Sequence, residues 1–282
     1  MKYQEILNKG SRVLRDCNIK SSSLDCELIL SKVLNKKREE ILINLDSEIN
    51  KKQKKEFDFY LNKRKKKKPM AQILGFKFFW KNKFYINNSV LIPRPESEHL
   101  IEQALKCLPV NRSKNLLDIG TGSGCLIISL LKERNKCKAT AIDISIDALK
   151  VAKINAKMHH VGNKIKFLNI DIDKFNSNKY DLIISNPPYI NRVDLKRLDD
   201  DVKLYEPKLA LFGGVTGFER IEKTIEKSSE LIKYNGKLLI EIGEKQKDYT
   251  VVILKKNGFY INEICKDFSG KDRCIVSTKI NK

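Results

Sequence analysis

A glycine-rich turn constrains the fold of this chain more than any other segment. Residues 118–124 read Asp-Ile-Gly-Thr-Gly-Ser-Gly and follow an apolar stretch that begins at Asn115. Glycine reaches backbone angles closed to other residues and lets bare backbone approach a ligand. From about residue 96 helical segments alternate with strand candidates, at 115–119, 139–142, 165–168, 182–185, 238–242, 260–265 and 274–278. This alternation predicts a doubly wound, Rossmann-like α/β sheet closed by a final antiparallel hairpin.

The first 72 residues carry a different pattern, which predicts a small helical bundle. Apolar residues recur there at helical spacing, and Pro69 is expected to end the last helix. Aromatic and branched residues then surround short polar breaks as far as the apolar residues 90–92, which indicates a β-hairpin. A chain of 282 residues is long enough for a large and a small domain. We therefore expect a helical domain at 1–72, a β-hairpin linker at 73–94 and an α/β domain at 95–282.

The glycine turn predicts a ligand site at the edge of the sheet. Ligands of doubly wound sheets bind outside the carboxyl ends of the strands, and the first and fourth strands should end side by side. One interpretation of the turn is a tight strand-to-helix connection without a ligand, and another is a dinucleotide site. The dinucleotide fingerprint has glycine at its sixth position, where this chain has Cys125. The spacing of the three glycines, with an acid two residues before them, fits S-adenosylmethionine better.

Acidic residues follow the next two predicted strands and complete the predicted cofactor site. Asp143 ends the second strand, and its carboxylate suits two vicinal ribose hydroxyls. Asp171 ends the third strand and is favoured over Asp173 as the acceptor for the adenine amino group. Either aspartate has a simpler interpretation as a turn or cap residue, since strand ends commonly carry Asp. In the turn itself, the expected cofactor contacts are Asp118, Gly120, Thr121, Gly122, Ser123 and Gly124.

The sequence Asn186-Pro187-Pro188-Tyr189 follows the fourth strand and predicts a site for a planar NH2 group. Two prolines would end a strand in a fixed, extended conformation, but that explanation requires neither Asn nor Tyr. If the Asn186 side-chain oxygen and the Pro187 carbonyl each accept one N–H, the nitrogen is oriented towards the methyl group of the cofactor. Tyr189 would pack against the planar group, while the two prolines hold the acceptors rigidly. These motifs together suggest methylation of an amide or amino nitrogen, without a metal.

The chain is strongly basic, with a formal net charge of +21. Such a charge favours a polyanionic partner, but lysine is spread along the whole chain, a distribution that genomic composition explains as well as a binding surface does. The densest basic runs, 51–55 and 63–68, flank one amphipathic helix. A solvated helix face is the favoured interpretation over polyanion contact.

The remaining composition bears on compartment and metal binding. The seven cysteines are scattered and never paired as CxxC, which indicates free thiols in a reducing compartment and no zinc site. Residues 1–5 lack the apolar core of a signal peptide, and no apolar run approaches the length of about 18 residues that a membrane span requires. We expect a cytoplasmic protein without membrane contact.

Five segments together resemble the release-factor glutamine methyltransferases, the HemK/PrmC family. The resemblance covers essentially the whole chain, including the N-terminal bundle. The Asn-Pro-Pro-Tyr motif alone is shared with DNA adenine and other amino-group methyltransferases, whereas its combination with the Pro-Arg-Pro-Glu segment is specific. The matching segments are 69–75 with Phe79 and Trp80, 92–98, 118–124, 186–189, and Tyr205-Glu206-Pro207 followed by Ala210 and Leu211.

This resemblance implies a class I S-adenosylmethionine-dependent methyltransferase domain and a defined substrate. The substrate would be the glutamine of the Gly-Gly-Gln loop in bacterial class I peptide chain release factors, and residues 186–189 would contact it. The cofactor contacts would fall on 120–124, Asp143, Asp171 with Ile172, and Asn186. The family often has an aromatic residue where this chain has Ile172. The N-terminal bundle would be a substrate-docking domain that grips the release factor away from the reacting loop.

Two other functions compete with this one. The first is methylation of an exocyclic amine, adenine N6 or guanine N2, in DNA or RNA, since a flipped base presents the same NH2 geometry. The absence of a separate target-recognition domain argues against it. The second is a non-catalytic protein that binds ribosomes or nucleic acid, against which the intact cofactor motif argues. We expect a monomer for which nucleic-acid contact is not required.

Overall fold

The computed structural model describes residues 1–280, which form two compact units. The first unit comprises Met1–Phe76 together with Asp199–Tyr205, and the second comprises Lys77–Leu198 and the chain from Glu206 onwards. The α-helices are α1 Tyr3–Asp16, α2 Ser22–Leu34, α3 Arg38–Leu42, α4 Lys51–Lys65, α5 Met70–Leu74, α6 Glu98–Cys107, α7 Cys125–Glu133, α8 Ile146–Met158, α9 Arg192–Leu195, α10 Asp200–Tyr205, α11 Glu219–Leu231 and α12 Lys247–Lys256. The strands are β1 Phe76–Phe79, β2 Asn82–Tyr85, β3 Asn115–Ile119, β4 Lys138–Asp143, β5 Ile165–Asn169, β6 Tyr180–Ser185, β7 Ile190–Asn191, β8 Phe212–Gly214, β9 Ile232–Glu241, β10 Phe259–Lys266 and β11 Asp272–Lys279.

The first unit is a helical bundle around one apolar core. Leu14, Ile29, Leu30 and Phe57 are fully buried where α1, α2 and α4 pack together. A capping box at the start of α4 fixes its first turn, since the Asn50 side chain accepts from the backbone N–H at position 53 while the side chain there accepts in return. The predicted helical bundle is therefore present.

Pro69 does not simply end the bundle, as the sequence pattern suggested. Helix α4 already ends at Lys65, and Pro69 is the N-cap residue of the additional short helix α5. Proline is tolerated at a helix start because the first N–H groups have no intrahelical partner. The segment Asp199–Tyr205 returns to this unit, where the Tyr205 hydroxyl donates to the carbonyl oxygen of Lys66 at 2.6 Å.

The second unit contains a seven-stranded mixed sheet. Its strand order is β10-β11-β9-β6-β3-β4-β5, and β9, β6, β3, β4 and β5 run parallel. Strand β11 pairs antiparallel with both β9 and β10, so the predicted closing hairpin is present. The sheet confirms the predicted doubly wound α/β fold. Among the described residues, no helix is both long and apolar enough to cross a membrane.

The register of the central strands brings the two sequence motifs together. Strand β3 pairs with β6, so that Ile119 lies opposite Ser185 at the carboxyl ends of both strands. On the other side of β6, Ser185 lies opposite Ile240 of β9. The glycine turn after β3, residue 186 after β6 and Glu241 at the end of β9 therefore meet at one edge of the sheet.

The region before the sheet differs in part from its β-rich pattern. Strands β1 and β2 form the predicted two-stranded element. Val90 and Ile92 are buried but lie outside any strand, and the N–H of Ile92 donates to the Glu206 carboxylate instead of to a neighbouring strand. The prolines at 93 and 95 have no N–H group for a strand ladder, which explains why this apolar stretch does not extend a sheet.

Candidate functional site

A cavity opens at the carboxyl edge of the parallel sheet, and all of its lining residues belong to the second unit. It brings together eight residues predicted from sequence: Gly120, Gly122, Asp143, Asp171, Ile172, Asn186, Pro187 and Pro188. Five other predicted residues lie outside its lining: Asp118, Thr121, Ser123, Gly124 and Tyr189. The cavity is thus built from the ends of four neighbouring strands and the loops that follow them.

The glycines of the turn have different structural roles. Gly120 and Gly124 have φ values of +72° and +80°, a region that side chains rarely adopt. A Cβ added at Gly120 would meet no atom within 4 Å, whereas one added at Gly124 would lie 2.8 Å from Ile128 Cδ1 and 3.3 Å from Ala152 Cβ. At Gly120 the backbone therefore stays uncovered next to an open space, whereas Gly124 permits close packing between α7 and α8.

Asp118 lies just before the turn, binds a residue of the turn and has no exposed surface. The Thr121 hydroxyl donates to its Oδ2 at 2.6 Å, while Oδ1 has no hydrogen-bond partner of ordinary geometry among the described residues. Burial raises the pKa of Asp118 to about 7, and the nearby charge of Asp143 acts in the same direction. An ionised Asp118 is thus poorly compensated by the protein itself.

Asp143 is held with both carboxylate oxygens in fixed positions. The N–H of Gly122 donates to Oδ2 at 2.9 Å, and the N–H of Ser145 donates to Oδ1 at 2.8 Å. Burial raises its pKa, although these backbone hydrogen bonds favour the charged form. Each oxygen keeps a further lone pair, so the oriented carboxylate has the acceptors that a vicinal diol requires.

The structure distinguishes the two aspartates that follow β5. Asp171 lines the cavity and caps a short 3-10 helix, with its Oδ1 accepting from the N–H of Asp173 at 3.1 Å. Asp173 lies outside the lining and forms an ion pair with Lys223. The geometry therefore favours Asp171 over Asp173 as the residue available to a ligand.

Asn186 is the end of a buried hydrogen-bond chain. Its Nδ2 donates to Ser97 Oγ at 3.0 Å, and the Ser97 hydroxyl donates to Glu241 Oε2 at 2.6 Å. The Tyr189 hydroxyl donates to the other carboxylate oxygen of Glu241 at 3.3 Å. Burial raises the pKa of Glu241 to about 7, against the opposing effect of these two hydroxyl donors. Because its nitrogen is bound to Ser97, the Asn186 amide presents its oxygen on the opposite side.

The segment after Asn186 is rigid and closely packed. Neither Pro187 nor Pro188 has an N–H group, so the backbone at these positions offers only carbonyl acceptors. A Cβ added at Gly213 would lie 2.7 Å from the Pro188 carbonyl oxygen, and the Gln246 side chain donates to the Tyr189 carbonyl oxygen at 3.1 Å. The backbone that carries the acceptors is thus fixed from two sides.

Tyr189 occupies a different environment from Pro187 and Pro188. Its ring packs against the main apolar core of the second unit, and burial raises the pKa of its hydroxyl. Its hydroxyl is bound to Glu241, and Tyr189 is not among the residues that line the cavity. Contact between Tyr189 and a substrate stays a prediction.

An ion pair with a buried carboxylate joins two of the sequence motifs. Arg94 Nη2 donates to Glu206 Oε1 at 2.5 Å, and the N–H of Ile92 donates to Oε2 of the same carboxylate at 3.0 Å. The Glu206 side chain is only 1% exposed. These contacts hold the segment before α6 against the loop that follows residue 205, within the second unit.

Sequence reasoning missed the partners of Asn186. Ser97 lies in a short 3-10 helix, Pro95–Ser97, and nothing in its local pattern indicates a contact with residue 186. Glu241 did carry a signal, since it is a carboxylate at the end of an apolar strand, as Asp143 is. Applying the same argument to both strand ends would have placed Glu241 at the site edge.

Comparison with known proteins relates two segments of the chain to known protein families. Residues 101–198 match the family model described as "Methyltransferase small domain", and residues 5–75 match "PrmC N-terminal domain". A solved methyltransferase structure from Pyrococcus furiosus has a TM-score of 0.53 at 20% identity and covers 70% of this chain and 89% of its own. This likeness confirms the predicted fold.

Two curated relatives extend the comparison over nearly the whole chain. A "Bifunctional methyltransferase" from Rickettsia felis is 33% identical across 99% of this chain, which spans only 58% of that protein. A "Release factor glutamine methyltransferase" from Clostridium acetobutylicum is 34% identical over 282 residues, covering 99% of both chains. The chain belongs to the family of release factor glutamine methyltransferases.

Proposed function

We propose that this protein transfers a methyl group from S-adenosyl-L-methionine to the side-chain amide nitrogen of the glutamine in the Gly-Gly-Gln motif of bacterial class I release factors. The observation that carries the proposal is the fixed Asn186 amide at a cavity that also contains the glycine turn. The name of the Clostridium acetobutylicum relative, "Release factor glutamine methyltransferase", supports the choice of substrate.

The residues at the edge of the sheet fit the cofactor. Gly120 leaves open space beside bare backbone, and Asp143 presents two oriented carboxylate oxygens to a diol. Asp171 and Ile172 line the same cavity and would hold the adenine. Asp118, Thr121, Ser123 and Gly124 would act from outside the lining by shaping the turn. When bound, the cofactor supplies an electrophilic methyl group on a sulfonium centre.

The substrate amide would be oriented by acceptors of this chain. An amide nitrogen is a poor nucleophile because its lone pair is delocalised into its carbonyl group. With one N–H donated to Asn186 Oδ1 and the other to the Pro187 carbonyl, the NH2 group is held in one orientation. Hydrogen bonds from both N–H groups also make the nitrogen more electron-rich and align its lone pair for attack. Pro188 would keep the backbone rigid, and Tyr189 would contact the planar amide.

No strong general base is required for this reaction. The nitrogen becomes acidic once it carries the new methyl group, and the proton can then leave to water. The role of the protein is therefore orientation, together with hydrogen-bond acceptors placed before the reaction begins.

The test is methyl transfer from labelled cofactor to a purified release factor. The controls are its Gly-Gly-Gln→Gly-Gly-Ala variant, duplex DNA and RNA, and the enzyme variant Asn186→Ala. We expect label on the wild-type factor alone, and loss of transfer by Asn186→Ala while cofactor binding stays measurable. Label on nucleic acid alone would replace this proposal with an amino-group methyltransferase of DNA or RNA. Near-normal turnover in Asn186→Ala would refute the proposed orientation of the amide.

The first unit, which contains the predicted docking domain at 1–72, would bind the release factor outside the cavity. Some basic residues of the 63–68 run are engaged within the unit, because Arg64 pairs with the buried Asp25 at 2.7 Å and Lys67 donates to the Cys17 carbonyl oxygen at 2.6 Å. Lysines in the first turn of α4 are exposed instead and remain available for contact. In the proposed reaction the protein acts as a monomer, and contact with nucleic acid is not required.

A charge substitution tests this docking function. Lys51, Lys52 and Lys55 are exposed and would be replaced together by alanine, with Lys255 and Lys256 on α12 as the control. We expect the first variant to raise KM for the whole release factor without changing kcat, and to leave methylation of a short Gly-Gly-Gln peptide unchanged. An equal effect on the peptide, or the same effect in the control, would contradict docking by α4.

A further inference from the structure

Two hydrogen bonds connect Asn186, Ser97 and Glu241, and the chemistry of these side chains fixes which group donates in each bond. Glu241 ends β9 and is fully buried, Ser97 lies between, and Asn186 lines the cavity. The two hydrogen bonds measure 2.6 Å from Ser97 to Glu241 and 3.0 Å from Asn186 to Ser97. These residues lie far apart in sequence. Asn186 follows β6 and Glu241 ends β9, and these two strands are neighbours in the sheet.

An ionised carboxylate can only accept hydrogen bonds. The single hydroxyl proton of Ser97 must therefore point at Glu241, which leaves the Ser97 oxygen as an acceptor. The group that Asn186 turns towards Ser97 must then be its NH2, because its carbonyl oxygen would face another oxygen. The opposite side of the Asn186 amide is consequently its oxygen, the acceptor that the proposed reaction requires.

We propose that Glu241 and Ser97 are positioning residues, which together keep Oδ1 of Asn186 turned towards the substrate nitrogen. This inference rests on the proposed function for its kinetic consequence, but the direction of the hydrogen bonds can be measured without a substrate. Tyr189 contributes by donating to the second carboxylate oxygen, so that both oxygens of Glu241 have a donor. A satisfied buried network of this kind specifies one arrangement of its members.

The environment of Glu241 makes turnover depend on pH. Besides the Ser97 and Tyr189 hydroxyls, the groups that act on it are the Asn186 amide, the Arg273 guanidinium, and the thiols at 125 and 274. Arg273 is itself paired with Asp267 at 2.8 Å. A protonated Glu241 could donate to Ser97 and free its hydroxyl to donate to Oδ1 of Asn186, which would occupy the acceptor. Turnover should therefore fall as the pH drops through the pKa of Glu241, about 7.

Kinetics of three variants test the positioning function. Glu241→Gln keeps the shape of the side chain, but its NH2 group can donate to Ser97 and reverse the chain. We expect kcat to fall about 10- to 100-fold in Glu241→Gln and Ser97→Ala, with unchanged affinity for the cofactor. Ser97→Thr keeps the hydroxyl and should restore most of the activity lost in Ser97→Ala. The matched control is Ser129→Ala, since Ser129 is a buried serine without a hydrogen-bond partner among the described residues.

The pH profile separates positioning from a general structural effect. The wild type should lose kcat below a pH of about 7 at saturating cofactor, and Glu241→Gln should lose this limb. A merely structural role would instead lower thermal stability and change cofactor affinity and kcat together. Wild-type kcat in both Glu241→Gln and Ser97→Ala would overturn the proposal.

A spectroscopic measurement tests the same network without any substrate. The side-chain NH2 signals of Asn186, identified by their loss in Asn186→Asp, should shift with pH near 7 in the wild type and stay constant in Glu241→Gln. A pH-independent signal in the wild type would refute the inference. If the signal behaves as expected but no release factor is methylated, the proposed function fails and the positioning network stands.

Discussion

Replacing Asp118 by asparagine should remove a large part of the pH dependence of stability. Asp118 is fully buried, accepts one hydroxyl hydrogen bond, and has a pKa raised by burial from 3.8 to about 7. Between these two pH values the folded protein keeps a proton that the unfolded chain has lost. The free energy of unfolding therefore falls as the pH rises through this window.

The size of the effect follows from the two pKa values. They differ by about three pH units, and each unit corresponds to about 1.4 kcal/mol, so ionised Asp118 lowers the free energy of unfolding by about 4 kcal/mol above pH 7. More than half of this loss falls between pH 5 and pH 8, because the unfolded chain is already ionised at pH 5. The asparagine side chain of the variant does not titrate, so that loss should be absent from it.

The slope of the free energy of unfolding against pH measures the ionisation of Asp118 better than the stability at a single pH does. Asparagine introduces an NH2 group that lacks a partner at the position of Oδ1, which costs about 1–3 kcal/mol at every pH. The residual slope of the variant should come partly from Glu241, whose pKa burial also raises to about 7. Adding Glu241→Gln should flatten the profile further.

The assay is urea unfolding of the ligand-free protein at several pH values between about 5 and 8. The control is Asp181→Asn. Burial acts to raise the pKa of Asp181, but the Asn115 N–H and the ammonium groups of Lys233 and Lys114 lower it below its usual value. It is ionised in both states throughout this range, so its replacement should leave the slope unchanged. If Asp118→Asn has the same slope as the wild type, Asp118 is not a poorly compensated buried carboxylate.

Three further predictions concern the turn, the cofactor and the ion pair. Gly124→Ala should lower the free energy of unfolding by about 1–3 kcal/mol more than Gly120→Ala, since only its Cβ meets Ile128 and Ala152; equal losses in urea unfolding would contradict this. Asp143→Ala should weaken cofactor affinity roughly 10- to 100-fold by calorimetry, and unchanged binding would exclude its predicted role. Arg94→Ala should lower the free energy of unfolding by about 3–5 kcal/mol, because Glu206 stays buried without its cation. The double variant Arg94→Ala with Glu206→Gln should lose less stability in thermal unfolding. A larger loss in the double variant would refute this reasoning.

Local patterns were sufficient to predict the strands that build the site. Strands β3 and β6 are short apolar segments followed by a glycine turn and by prolines, so both their position and their ends can be seen in the sequence. Their order in the sheet followed from the general rule for doubly wound folds. Asp143 and Asn186 could therefore be placed at the same edge before the structure was known.

Features that depend on distant contacts could not be predicted in this way. The hydrogen bond between Ser97 and Glu241 joins residues 144 positions apart, and it requires the packing of α6, which follows Ser97, against β9. The apolar stretch at 90–92 has the composition of a strand, but the backbone N–H of Ile92 donates to the side-chain carboxylate of Glu206 and not to a neighbouring strand. The direction of the Tyr189 side chain likewise depends on the core packed behind it.

The proposed contacts of the Asn-Pro-Pro-Tyr motif are compatible with more than one class of substrate. In the proposed reaction, Asn186 Oδ1 and the Pro187 carbonyl accept two N–H groups, which a glutamine amide and an exocyclic base amine both supply. These proposed contacts would select a planar NH2 group rather than a particular macromolecule. Discrimination between a release factor and a nucleic acid must come from contacts beyond the reacting group, so substitutions outside the cavity should alter KM for the macromolecule while those in the chain from Glu241 to Asn186 alter kcat.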